Sequence, residues 1–234
     1  MPDWKVAAQQ WVYGWIDPFI HWCIRVGITP NGITLTGLMI NIVAAGIFVY
    51  GAEALPRYQH AIVGIASAVI LFAGLFDMID GRLARVGQQE STYGALYDSV
   101  LDRYSEMIMF LGICYYLIAH HYFLSSLFAF IAMIGSVMVS YTRARAEGLG
   151  LKMADVGFMQ RPERILLIGI SGILCGVFSL WAGPDFKVEV SFLPFPLIET
   201  ITVFTFPIFI LAILSNVTAI SRLRYAESQL KKGK

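Results

Sequence analysis

The sequence predicts an all-α integral membrane protein: six transmembrane helices preceded by an N-terminal amphipathic helix lying in the membrane interface. Three observations carry this reading. The 234-residue chain is 57% hydrophobic and only 14% charged, where soluble domains run at roughly half and roughly a quarter. Its mean hydropathy is +0.67. Six apolar segments of about spanning length follow one another, and the basic residues between them are placed lopsidedly.

The elements follow in order. Residues 4–26 mix Trp4, Trp11, Trp15, Phe19, Ile20 and Trp22 with Lys5, Gln9, Gln10 and Arg25. Such a Trp-rich, half-polar stretch suits a helix lying on the membrane rather than crossing it. Gly27 to Pro30 interrupts it, so residues 1–28 form an N-terminal unit. Spans are expected near 33–50, 61–80, 95–119, 124–143, 165–181 and 197–220, within one membrane domain over 29–225. Pro184, Pro194 and Pro196 mark the connection at 182–196 as a loop. Residues 226–234 read as a basic cytosolic tail. Gly172 and Gly176, four apart, can bring two helices close.

With a cytoplasmic N-terminus, all of the 17 Lys and Arg except Arg57 and Lys187 fall on the cytoplasmic side. That bias implies a multi-pass protein of the cell membrane with both termini inside. A net charge of +1 offers no bulk attraction to nucleic acid. Cys23, Cys114 and Cys175 are isolated within apolar stretches, neither a disulfide framework nor a zinc site. Met1 to Trp11 lacks the basic cluster and short apolar run of a signal peptide. No P-loop, HExxH or nucleophile elbow is present.

Chemistry concentrates at one face. The second apolar run ends in Asp77 and Asp80, and the third opens with Asp98 and Asp102. Three and four apart, each pair shares a helix face. A carboxylate near the bilayer costs ~2.5–3.5 kcal/mol on insertion scales, so four together point to function. Clustered, they need a counter-charge. All-oxygen ligation suits Mg²⁺ or Mn²⁺ over Zn²⁺, and four aspartates could hold two ions, a plan suited to phosphoryl displacement. Helix-end pairing with Arg82, Arg85 or Arg103 is the competing structural reading. Intramembrane carboxylates also mark cation transporters, but those bury the site near the midplane between broken helices.

From Asp77 to Asp102 the chain reads D-x2-D-G-x2-A-R-x8-G-x3-D-x3-D. This pattern, with the six-span layout, resembles the CDP-alcohol phosphotransferase family. The resemblance implies displacement of CMP from a CDP-alcohol, usually CDP-diacylglycerol, by an acceptor hydroxyl, with two divalent ions at the diphosphate and a homodimeric assembly. It assigns Asp77, Asp80, Asp98 and Asp102 to the metals and makes Asp102 the general base as well. It assigns Asn31, Gly32, Ile33, Thr34, Gly81, Ala84, Arg85 and Ser91 to the CDP-alcohol. Gly81 and Ala84 suit close approach of a nucleotide, and the Arg85 guanidinium matches phosphate oxygens. The stretch at Asn31 also suits a helix cap around Pro30.

The acceptor is read from later residues. Ser140-Tyr141-Thr142-Arg143-Ala144-Arg145-Ala146-Glu147, with Arg161-Pro162-Glu163-Arg164, resembles the branch of that family using inositol 1-phosphate. The resemblance implies that Arg143, Arg164 and Arg222 bind the acceptor phosphate, and that the product is phosphatidylinositol phosphate. Arg where Lys is common at 143, Asn31 where Asp is common, and Gln160 before the R-P-E-R motif depart from the pattern. Glycerol 3-phosphate is therefore the competing acceptor, and CDP-archaeol a competing donor.

Overall fold

Apolar runs joined by short polar breaks produce an almost wholly helical chain. The computed structural model describes residues 3–153, 156–183, 186–188 and 198–232, with side chains from Tyr13 to Lys231. Its elements are α1 (Asp3–Val26), α2 (Pro30–Ala54), α3 (Ala61–Val86), α4 (Thr92–Ala119), α5 (Phe123–Glu147), α6 (Arg161–Ala182), β1 (Lys187–Val188), β2 (Ile198–Glu199) and α7 (Thr202–Lys232).

Five of these, α2, α3, α5, α6 and α7, are long and apolar enough to cross a membrane. The sixth expected span, α4, has 28 residues, or about 42 Å. Its N-terminal part, as far as Glu106, is too charged to read as a lipid-facing span, because it carries Asp98, Asp102, Arg103 and Glu106. Most helices also overshoot their apolar runs. Hydropathy registers only the embedded part, whereas backbone hydrogen bonding carries α3 on to Val86 and starts α4 at Thr92. Both halves of the aspartate motif are thus helical.

Two caps fix the helix starts around the site. Thr29 accepts a hydrogen bond from Gly32 N at 3.2 Å, and Pro30 occupies the first turn of α2. Ser91 accepts from Gly94 N at 2.9 Å and starts α4. Between the helices, Gln88 takes a positive φ of 51° in the tight turn.

Helix α2 packs on α3 and α4, α3 on α6, and α5 on α7. Lipid tails are as apolar as leucine, so close fit rather than burial from water holds such helices together. The spaced glycines of α6 supply that fit against α3. A Cβ on Gly176 would lie 2.8 Å from Gly64 Cα, and one on Gly172 would collide with Ser67 Oγ. Phe48, Phe110, Tyr116 and Phe204 fill the core.

The α1 helix docks through Ile20 and Cys23 against Ile33, Ile79 and Leu83. Trp15, Phe19 and Trp22 face outward from it, as an interfacial helix requires. The side chains of Trp4, Lys5, Gln9, Gln10 and Trp11 lie outside the described residues. In the connection expected to be a loop, β1 forms and pairs with β2 at the start of the expected last span, Lys187 opposite Glu199; Pro184, Pro194 and Pro196 lie outside the described residues. Helix α7 runs unbroken to Lys232, through most of the stretch set apart as a tail. Arg57 and Lys187, the two basic residues left outside, line one small cavity with Tyr122 and Glu199. Arg57 precedes α3, so this cavity and the aspartates lie at opposite ends of that helix.

Candidate active site

Two cavities open on either side of the aspartates. The first, of about 350 Å³, lies between the starts of α2 and α4 and the end of α3. Its wall includes Asn31, Thr34, Asp80, Gly81, Ala84, Arg85, Ser91 and Asp98. Most residues expected at the CDP-alcohol are therefore gathered in one place. Gly32 and Ile33 are not in the wall. Gly32 supplies the capped N–H of α2, and Ile33 is buried beneath α1; the local cap and the hydrophobic face account for both.

Within this cavity the Thr34 hydroxyl donates to Asp80 Oδ2 at 2.7 Å, and Gly81 N–H donates to Asp80 Oδ1 at 2.5 Å. Gly81 is not required by packing. A Cβ there would meet only Arg85 Nη2, at 3.7 Å, so the missing side chain leaves space in the cavity itself. Arg85 donates through Nε to Gly81 O at 2.9 Å and through Nη2 to the Tyr13 hydroxyl at 3.1 Å. Arg82 turns away and forms a two-pronged pair with Asp17 of α1, both contacts 2.9 Å, while its guanidinium lies 4.5 Å from the centre of the Tyr13 ring.

The second cavity, of about 150 Å³, lies between α4, α5, α6 and α7. Arg143, Arg164 and Arg222, expected at the acceptor phosphate, all line it, with Asp102 on the same wall. Arg103 and Arg161 join them, so five arginines face one small space. Their engagement differs. Among the described residues Arg143 pairs only with the exposed Glu147 one turn on, at 2.9 Å. Arg222 donates to Val156 O and Val139 O, both at 2.7 Å. Arg164 is fully buried and committed: Nε and Nη2 donate to Glu106 at 2.6 and 2.9 Å, and Nη1 donates to Met159 O at 3.1 Å. Glu106 and Met159 thus fix the guanidinium of Arg164 at the cavity wall, through three of its five N–H donors.

The aspartates are not an open cage. Among the described residues no three His, Cys, Asp or Glu converge closely enough to hold a metal ion. Arg161 stands among the aspartates. Its Nη1 lies 2.7 Å from Asp77 Oδ2 and 2.6 Å from Asp102 Oδ1, bridging α3 and α4. The helix-end partners Arg82, Arg85 and Arg103 make no such ion pair with these aspartates among the described residues. A guanidinium thus stands as the positive charge between two of the four carboxylates. Donor set and charge suit a hard cation such as Mg²⁺ or Mn²⁺.

Sequence reading missed Arg161 and Glu106 as site residues. For Glu106 a signal was present: Asp98, Asp102 and Glu106 repeat every fourth residue, one acidic stripe running toward the apolar core of α4. A carboxylate at that depth requires a partner.

Residues 27–213 match the family model described as CDP-alcohol phosphatidyltransferase. The phosphatidylinositol phosphate synthase of Mycobacterium tuberculosis strain H37Rv is 32% identical over 152 residues, 64% of this chain and 65% of that protein. The match thus spans just under two thirds of that relative's length. The archaetidylinositol phosphate synthase of Pyrococcus horikoshii is 30% identical over 213 residues, 89% of this chain and 88% of that protein. The crystal structure of the M. tuberculosis phosphatidylinositol phosphate synthase with CDP-DAG bound superposes with a TM-score of 0.67 at 27% identity, covering 89% of this chain and 92% of that one. The same protein has been solved with manganese and citrate.

Proposed function

The chain belongs to the CDP-alcohol phosphatidyltransferase family, and we propose that it transfers the phosphatidyl group of CDP-diacylglycerol to inositol 1-phosphate. The products are CMP and phosphatidylinositol phosphate. One observation carries the reading: the first cavity holds Gly81 and Arg85, the second is walled by five arginines, and the aspartates lie between them. Two substrates entering from either side would meet at Asp102. An acceptor without a phosphate would leave the second wall's charge unanswered.

In this reading Asn31, Thr34, Gly81, Ala84 and Ser91 shape the nucleotide site, and Arg85 grips the diphosphate. The acceptor hydroxyl oxygen bonds to the phosphorus bearing the lipid. The bond from that phosphorus to the bridging oxygen breaks, and CMP departs with the electron pair. Asp102, on the acceptor wall, takes the hydroxyl proton as attack begins. Arg143, Arg164 and Arg222 form the acceptor-phosphate site, with Glu106 holding Arg164 in place. Asp77, Asp80, Asp98 and Asp102 would hold divalent ions, two per site, whose charge offsets that of the diphosphate.

The exclusion of Arg57 and Lys187 from the aspartate end supports a cytosolic site in the cell membrane. A homodimer is the assembly proposed by resemblance. The Pyrococcus relative favours one second reading, an archaetidyl in place of a phosphatidyl donor. CMP release from purified protein given Mg²⁺, inositol 1-phosphate and either CDP-diacylglycerol or CDP-archaeol tests both.

A further inference from the structure

Two arginines three residues apart on α6 are held in opposite ways. Arg164 has an acceptor for each of the three nitrogens that face Glu106 and Met159. Arg161 instead meets two carboxylates through Nη1, and its buried Nε has no hydrogen-bond partner among the described residues. The first arrangement is satisfied. The second leaves a donor unspent, which is costly for a buried polar group.

Position adds to the imbalance. Arg161 is the first residue of α6, where the helix dipole disfavours a positive charge. What holds it there is the pair Asp77 and Asp102, its side chain being 16% exposed against their 26% and 14%. A single positive charge faces two carboxylates directly, with Asp80 and Asp98 on the same helix faces. A divalent cation would answer that charge better than a monovalent one. Arg161 also lines the second cavity, so a guanidinium released from the aspartates would remain beside the acceptor wall.

We propose that Arg161 is an internal counter-cation that competes with divalent metal for Asp77 and Asp102 and, once displaced, adds its guanidinium to the anion-binding wall of the second cavity. Metal and acceptor phosphate then bind with positive coupling, each strengthening the other by the same factor. The protein keeps its carboxylates neutralised when empty, and the acceptor site is completed only when metal is in place. This rests on the reading of the aspartates as metal ligands.

The test uses the full chain in detergent, with Mn²⁺ and inorganic phosphate as probes. Titration of Mn²⁺, followed by its electron paramagnetic resonance signal, should give about tenfold or tighter binding in Arg161→Gln than in the unmodified protein, the loss of one charge-assisted competitor. Phosphate affinity of the unmodified protein should rise severalfold when Mn²⁺ saturates it, and this rise should shrink in Arg161→Gln. Arg161→Lys, which keeps the charge, should retain Mn²⁺ affinity nearer the unmodified value. Equal or weaker Mn²⁺ binding in Arg161→Gln would overturn the competition while leaving the metal reading intact. Phosphate binding to the unmodified protein that ignores Mn²⁺ would overturn the coupling, a result independent of how any variant folds. Absence of Mn²⁺ binding to the unmodified protein would overturn the metal reading and this proposal together.

Discussion

Arg164 and Glu106 face each other across α6 and α4 in a two-pronged ion pair, 2.6 and 2.9 Å, with both side chains 1% exposed. Removing one partner of such a pair strands a charge in a low-dielectric interior, at a cost of about 3–5 kcal/mol. Glu106→Gln and Arg164→Ala are each expected to lower the apparent Tm in detergent by several degrees or to prevent folding. A Glu106→Gln protein melting with the unmodified one would show that the pair does not hold α4 to α6.

Arg143 offers the cleaner view of acceptor binding, because its only ion-pair partner among the described residues is the exposed Glu147. A hydrogen bond to a charged group contributes ~1.5–3 kcal/mol. Arg143→Ala should therefore raise the KM for inositol 1-phosphate by about one to two decades while leaving that for CDP-diacylglycerol near its original value. Equal shifts in both constants would count against separate donor and acceptor sites.

Gly81 and Gly172 predict opposite consequences for one added methyl. At Gly81 a Cβ meets only Arg85 Nη2, at 3.7 Å, inside the first cavity. Gly81→Ala should weaken donor binding with little change in thermal stability. At Gly172 the Cβ would collide with Ser67 Oγ, so Gly172→Ala should destabilise the fold by about 1–3 kcal/mol. Measured melting temperatures and donor KM values for the two variants separate these effects.

How much of this was legible in the chain follows from the range of each interaction. The aspartate motif is local: spacings of three and four residues determine the shared helix faces, and the cavity wall around Gly81 and Arg85 follows from them. Thr29 and Ser91 could be read as caps for the same reason. Arg161 could not be read as the partner of Asp77 and Asp102, because its position depends on how α6 packs on α3. Basic residues at span ends are expected from membrane topology alone, which hides those with a specific partner. Hydropathy likewise underestimated α3 and α4, whose polar turns continue the helix beyond the apolar run.

The anchoring of α1 carries a pH expectation. Its carboxylate Asp17 is held below the ordinary 3.8, chiefly by the hydrogen bond from Arg82, against a smaller opposing effect of burial. A depressed folded pKa means that the pair's contribution is complete above the ordinary value and is lost as pH falls through the lowered one. Between pH 5 and 8 the docking of α1 should not change. Asp17→Asn should loosen it throughout that range, read as faster proteolysis within α1 and a modest rise in donor KM through Tyr13 and Arg85. Unchanged proteolysis in Asp17→Asn would remove the Arg82 pair from the anchor.

The most direct measurement is CMP release by the purified protein with Mg²⁺ and CDP-diacylglycerol, with inositol 1-phosphate, glycerol 3-phosphate, free inositol and serine offered separately. The account predicts rapid release with inositol 1-phosphate, formation of phosphatidylinositol phosphate, little turnover with the unphosphorylated alcohols, and none in excess chelator. Turnover with glycerol 3-phosphate but not inositol 1-phosphate would contradict the proposed acceptor. Full activity in excess chelator would contradict the role given to the four aspartates.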